Sequence, residues 1–482
     1  MKQLAEAALE EINREGIEYG DIRIVEKRIS SISVRDDSVK SLSESENAGY
    51  GIRVLYDGAW GFASGTVMEK EKVAKTTRRA IEVARASGKV PSEPAVEMVK
   101  AQPASATRAG PCAEDPFEVP VEQQAELLLS ACDRMLGVEN IVKTSGSLRF
   151  ERRRRFIANT DGSYLDLTNY FTLPGLQATA VVGDESQTRS YQGGGRQAGY
   201  EYVREIDFEG KAKRWAEEAV LKAKADPSPE GVMDLVLDPD NLGLTMHESV
   251  GHPTESDRIL GWEANMAGKS FVELSDVGSL PYGSELVNFT VNNQLEGGVG
   301  SWFYDDDGVR MQKFPLIKDG ILVDLSVTRE TAPLLGRDSS NGCCRASGFS
   351  NFPINRIPNL YLEPGPDEET SPEDLIADIE RGIYIEGRGS FSIDQMRRNF
   401  QFGGDMFWLI ENGRRVQPLK KVTYQAQTTD FWGSCDAMAG VKYWRPHGIM
   451  SCGKGEPSQR MYMTHGASHC RFRDITVGAA KK

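Results

Sequence analysis

Histidine is scarce in this chain, with five residues in 482. Long apolar runs are missing altogether: no segment approaches the roughly 18 consecutive apolar residues of a membrane-spanning helix. The opening MKQLAEAALEEINREG is polar and has no apolar stretch of the kind a signal peptide needs, so the cytoplasm is the expected location. Basic tracts are few and the net charge is −14, which disfavours binding along a phosphate backbone. The exception is Arg152-Arg153-Arg154-Arg155. It lies between Phe150 and Phe156 in a strand-like stretch, so its arginines should alternate between two faces, solvated or bound to carboxylates. Cysteine is present but unpatterned: the seven are odd in number and irregularly spaced, which argues against a disulfide framework and fits a reducing compartment. Gly193-Gly194-Gly195 lacks the spacing and flanking elements of a dinucleotide loop and reads as a flexible connection.

What remains is a globular composition, 39% hydrophobic and 27% charged, long enough for two cores. Residues 2–15 carry an apolar helical face (Leu4, Ala8, Leu9, Ile12). Residues 21–63 alternate and turn, with Asp57-Gly58 as a hairpin signal, and a helix is expected over 68–87. Residues 91–120, rich in Pro and Ala, read as a surface loop. A helix over 121–136, strands around the Asn159-Gly162 turn and a helix over 209–225 follow. Asp226-Pro227-Ser228-Pro229 marks the expected boundary between an N-terminal α+β domain, 1–226, and a C-terminal domain, 227–482. The second half reads as mostly antiparallel β, with turns at Asp319-Gly320 and Asn412-Gly413. The run Asp305-Asp306-Asp307-Gly308 lacks the further acidic ligands of a calcium loop and reads as a turn.

Two of the five histidines sit in Met246-His247-Glu248-Ser249-Val250-Gly251-His252-Pro253. A pair of neutral imidazoles beside a carboxylate is the material of a hydrolytic zinc site: the imidazoles hold the metal and the carboxylate takes a proton from water. In H-E-x-x-H motifs the histidines stand at i and i+4 on one helix face. Here the spacing is i+5, which on an ordinary helix puts them about 140° apart. The expectation is therefore a helix that starts near Asp240 or Asn241 and ends by Gly251. His252, between Gly251 and Pro253, then swings back towards His247.

A third protein ligand is required for such a site. Glu255 and Asp257 are local candidates; Cys452, His465 and His469 are distal ones. Cys452 is the strongest, because a thiolate suits zinc and glycines surround it in Cys452-Gly453-Lys454-Gly455. A rival arrangement uses Cys452, His465, His469 and Cys470 as a closed structural site. It lacks the first cysteine of a zinc finger, and its histidines fall in a segment that reads as strand, where residues four apart face the same way.

The motif HESVGH, the later CGKGEP and the tail DITVGAA resemble the TldD/PmbA family of peptidases, in its metal-bearing TldD branch. The resemblance extends through GIRVLYDGAWGFAS, DDDGVRMQKFPLIKDGILVDLSVTRETA and FWLIENGRRVQPLKK. It implies a zinc peptidase with Zn2+ on His247, His252 and Cys452 and with Glu248 as general base. It further implies short or unfolded peptide substrates bound in extended form, Glu255 and Asp257 supporting the ligands, and a dimer with itself or with a PmbA-like subunit. A non-catalytic partner subunit is the alternative reading, one that suits a chain without the motif.

Overall fold

Three of the expected turns close in the same way. Asp57-Gly58, Asp319-Gly320 and Asn412-Gly413 all adopt left-handed backbone angles, with φ between 47° and 75°. Such paired positive φ values make the tight turns whose twist matches antiparallel strands. The computed structural model describes residues 1–90 and 95–478. Within them the chain is α+β, as the alternation and the helical spacing imply.

The first sheet has seven strands, and four of them are long: Tyr19–Arg35, Ser38–Tyr56, Ile141–Asn159 and Tyr164–Val182. These run antiparallel, with Tyr19–Arg35 lying between Ser38–Tyr56 and Ile141–Asn159, and Tyr164–Val182 beside the last. Helices Lys2–Arg14 and Lys70–Ser87 bury Ala5, Ala8, Ile12, Val73, Ala80 and Ile81 against Ile22, Ile24, Ile52 and Val54. Helices Val121–Leu136 and Phe208–Lys224 cover another part of the sheet, around Ile32, Val34, Leu148 and Phe150. The stretch read as loop, 91–120, differs in part. Ser105–Ala109 forms a strand parallel to Tyr164–Val182, recruited by an edge that its own composition did not announce. Residues 91–94 of that stretch lie outside the described residues.

The second half builds a six-stranded and a ten-stranded sheet. Both are mainly antiparallel. Parallel pairs join Gly231–Leu237 to Arg381–Glu386 and Leu360–Leu362 to Gln459–Ala467. One shared core, with Leu235, Leu237, Leu242, Met246, Phe289, Phe407, Trp432 and Phe472 among its members, holds the histidine helix between the sheets. Gly193-Gly194-Gly195 is no loose connection: Gly194 bridges to Gly448, whose carbonyl accepts from the Gly195 N–H at 3.3 Å. No helix among the described residues is long and apolar enough to cross a membrane.

Candidate metal centre

The histidine helix is capped two or three residues earlier than expected. Asp238, not Asp240 or Asn241, is the N-cap; its side chain accepts from the Asn241 N–H at 2.8 Å and Pro239 occupies the first helical position. The helix runs Pro239–Met246 and then does not break at Gly251 as expected. It widens by one residue over His247–Gly251, and the N–H of His252 returns to the carbonyl of His247. Gly251 and His252 both keep right-handed helical angles. A π-type turn of this kind, common at functional sites, is what brings positions five apart onto one face. The two rings meet edge to face, with centroids 4.9 Å apart. Gly251 is needed for space and not for its backbone freedom, since a Cβ there would lie 2.9 Å from Ile357 Cγ2. Pro253 has no N–H to offer the turn before it, and the Ser249 carbonyl accepts the Tyr282 hydroxyl at 2.5 Å instead.

Cys452 arrives from the strand Arg445–Lys454, the outermost strand of the six-stranded sheet. Its register slips between Ile449 and Cys452, and Sγ ends 3.6 Å from His252 Nε2. The ligand atoms of His247, His252 and Cys452 lie within 4.8 Å of one another, and all three side chains are buried. This is the one such convergence of three among the described residues.

The surroundings decide the protonation states. Burial, reinforced by His252 and His465, holds His247 well below the usual imidazole range. Burial likewise takes His252 down to about 3, against the pull of Glu255. Both rings are therefore neutral near pH 7 and carry lone pairs. Burial pushes the Cys452 thiol up to about 11, so it keeps its proton until a cation displaces it. Glu248 is raised by burial, with Arg397 opposing the shift, and Arg397 Nη1 sits directly on its Oε2.

Glu255 and Asp257 stand behind the site. Glu255 accepts from His252 Nδ1 at 2.7 Å, and Lys454 Nζ reaches Glu255 at 3.0 Å and Asp257 at 2.7 Å. Burial alone would raise the Glu255 carboxyl; Lys454 and His252 outweigh it and hold Glu255 ionised. His465 lies against His247, with 2.8 Å between His247 Nδ1 and His465 Nε2. His469 does not share that face. The strand is interrupted at Ser468 and His469, between Gln459–Ala467 and Cys470–Val477, and His469 stacks on Tyr384 with ring centroids 5.9 Å apart. Cys470 turns to the Ser468 carbonyl, so the closed four-residue set is not assembled.

Two arginines at the site had no signal in the sequence. Arg397 comes from a turn beside the strand Asn399–Gly403, at a left-handed φ of 63°. Arg356 donates from Nη2 to the Cys452 carbonyl at 2.7 Å. Each contact spans 96 residues or more of sequence, and no local pattern announces it.

Family models for PmbA/TldA metallopeptidases match the chain in three parts: domain 1 over residues 20–84, the central domain over 114–225 and the C-terminal domain over 230–479. A protein named metalloprotease from Methanothermobacter thermautotrophicus is 29% identical over 463 residues, 96% of each chain. One named metalloprotease TldD homolog from Haemophilus influenzae is 26% identical over 476 residues, 97% of this chain and 94% of its own. The crystal structure of TldE from Thermococcus kodakarensis superposes with a TM-score of 0.73 at 18% identity, covering 98% of this chain and all of the other. A solved chain from Thermotoga maritima reaches 0.79 at 17% identity, covering 99% and 100%. At those identities the structures speak for the fold.

Proposed function

From the chain's membership of the PmbA/TldD metallopeptidase family, we propose that it is a zinc-dependent peptidase with His247, His252 and Cys452 as metal ligands and Glu248 as general base. The convergence of two neutral imidazoles and a buried thiol carries this reading. That donor set suits Zn2+, and three protein ligands leave a position open, as catalytic sites require. Zn2+ bound there supplies Lewis acidity, which lowers the pKa of water and polarises a carbonyl.

The chain's own residues do the rest. Glu255 orients His252 through Nδ1, leaving Nε2 to face Cys452. Glu248 accepts the proton of the attacking water and returns it to the departing amine. Arg397, paired with Glu248, opposes the upward shift that burial imposes on that carboxyl and favours its ionised form.

Substrates in this reading are short or unfolded peptides in extended form. The Cys452 strand supports it: beyond Gly448, no strand among the described residues pairs with its outer edge. Such an edge offers backbone hydrogen bonds with little sequence selectivity. The proposal includes a dimer, either of two copies or with a PmbA-type partner in view of the likeness to TldE, and a cytoplasmic location.

Glu248→Gln tests the assignment, because the amide keeps the shape and cannot accept the proton. Zinc content should be unchanged, while cleavage of an unstructured peptide falls by roughly 10²–10⁴-fold. Cleavage at the wild-type rate would remove Glu248 from the mechanism.

A further inference from the structure

We infer that His465 sets the ring tautomer of His247, so that His247 presents a bare Nε2 to the metal; His465 is a positioning residue and not a fourth ligand. The inference rests on the reading of His247 as a metal ligand and adds a residue to it.

Both ring nitrogens of His465 are committed. Nδ1 lies 3.2 Å from the Leu360 carbonyl oxygen, and Nε2 lies 2.8 Å from His247 Nδ1. A carbonyl oxygen can only accept, so the hydrogen sits on His465 Nδ1. A neutral imidazole has one hydrogen, which leaves Nε2 as an acceptor. His247 must then donate from its own Nδ1, and its remaining nitrogen, Nε2, is the one with a free lone pair. The chain of three groups therefore has one consistent arrangement of protons, and it starts at a backbone carbonyl whose position the sheet fixes: Leu360 is paired with His465 in parallel register.

His252 reaches the same outcome by a different route. Its Nδ1 is held by the Glu255 carboxylate and its Nε2 faces Cys452. The two ligands thus have unlike supports, one anionic and one neutral. Charge accounts for the difference. Glu248, Glu255 and Asp257 already lie in the buried site, paired with Arg397 and Lys454, and the Cys452 thiol becomes a further negative group on metal binding. A carboxylate in the place of His465 would add another where there is little water to stabilise it. An imidazole locks the tautomer without adding charge. His465 is fully buried, a setting that disfavours a charged ring.

Two measurements test this. The first is histidine-selective 15N NMR on the metal-free wild type, where only five rings give signals. His247 and His465 should both appear as the Nδ1–H form. An Nε2–H form at His247 overturns the inference without reference to metal.

The second is zinc affinity, measured by competition with a chelator for wild type, His465→Leu and His465→Gln. The leucine removes the acceptor and should weaken zinc binding by about 10–100-fold. The glutamine places an amide oxygen near the position of Nε2 and should restore most of that loss. A folded leucine variant that binds zinc like wild type, or a glutamine variant as weak as the leucine one, contradicts the inference. Wild type that binds no zinc instead sinks the ligand assignment itself, and the NMR result then still reports on the tautomer.

Discussion

At the scale of single residues, burial does much of the chemistry. It pushes His247, His252, His465 and His469 below the usual imidazole range, so a chain with five histidines keeps four of them neutral at physiological pH. The scarcity of histidine made HESVGH legible, and the glycines around Cys452 pointed to the thiol that the fold brings beside both histidines. Arg356 and Arg397 were not, because their roles come from contacts between segments distant in sequence. Glu330 was equally silent. Burial raises its carboxyl to about 7, against an opposing hydrogen bond from Trp60 Nε1 at 3.1 Å. The folded state therefore holds this proton more tightly than the unfolded chain does. The resulting stability is complete below the ordinary carboxylate range and is lost as pH rises through about 7. Glu330→Gln should remove that loss. Urea denaturation at pH 5 and pH 8 should show wild type losing on the order of 2 kcal/mol more than the variant. Equal losses in the two proteins would mean that Glu330 titrates normally.

At the scale of elements, the hairpins could be read because Asp-Gly and Asn-Gly have a local reason to take positive φ. The histidine turn could not. Glycine before histidine and proline after it both suggest a break, yet the backbone stays helical through His252 and accommodates the extra residue in a widened turn. Packing, not propensity, selects that turn: Ile357 closes on Gly251, and Tyr282 takes the Ser249 carbonyl that Pro253 cannot serve. Gly251→Ala introduces a methyl group 2.9 Å from Ile357 Cγ2 without altering helical preference adversely. Overpacking of this kind costs about 1–3 kcal/mol. Chemical denaturation of the metal-free variant should show that loss, with weaker zinc binding as the turn shifts. Unchanged stability would mean that Ile357 yields freely and that the turn does not depend on this contact.

At the scale of the whole molecule, charge links parts far apart in sequence. The four arginines alternate as the strand period requires. Arg154 faces solvent and grips Asp166 with two bonds of 2.8 and 2.7 Å. Arg153 and Arg155 point inward; Arg155 meets Asp306 at 2.8 Å and lies over the Trp302 ring. Arg53 meets Asp307 at 2.7 Å and Asp21 at 2.6 Å. The triple aspartate is thus a turn whose carboxylates are engaged by arginines and backbone N–H groups, and the sequence could show the turn but not its partners. Charge also joins the segments of the proposed site: His447 Nδ1 meets Asp240 at 2.7 Å and Lys454 Nζ meets Asp257 at 2.7 Å, so the strand near 450 lies against the helix near 247, and the proposed site depends on that meeting. Zinc content by elemental analysis, on purified wild type beside Cys452→Ala, tests it most directly. The account predicts about one zinc per wild-type chain and little in a variant that keeps its fold. A folded wild type without zinc, or a variant that retains the full amount, would contradict a site built from His247, His252 and Cys452.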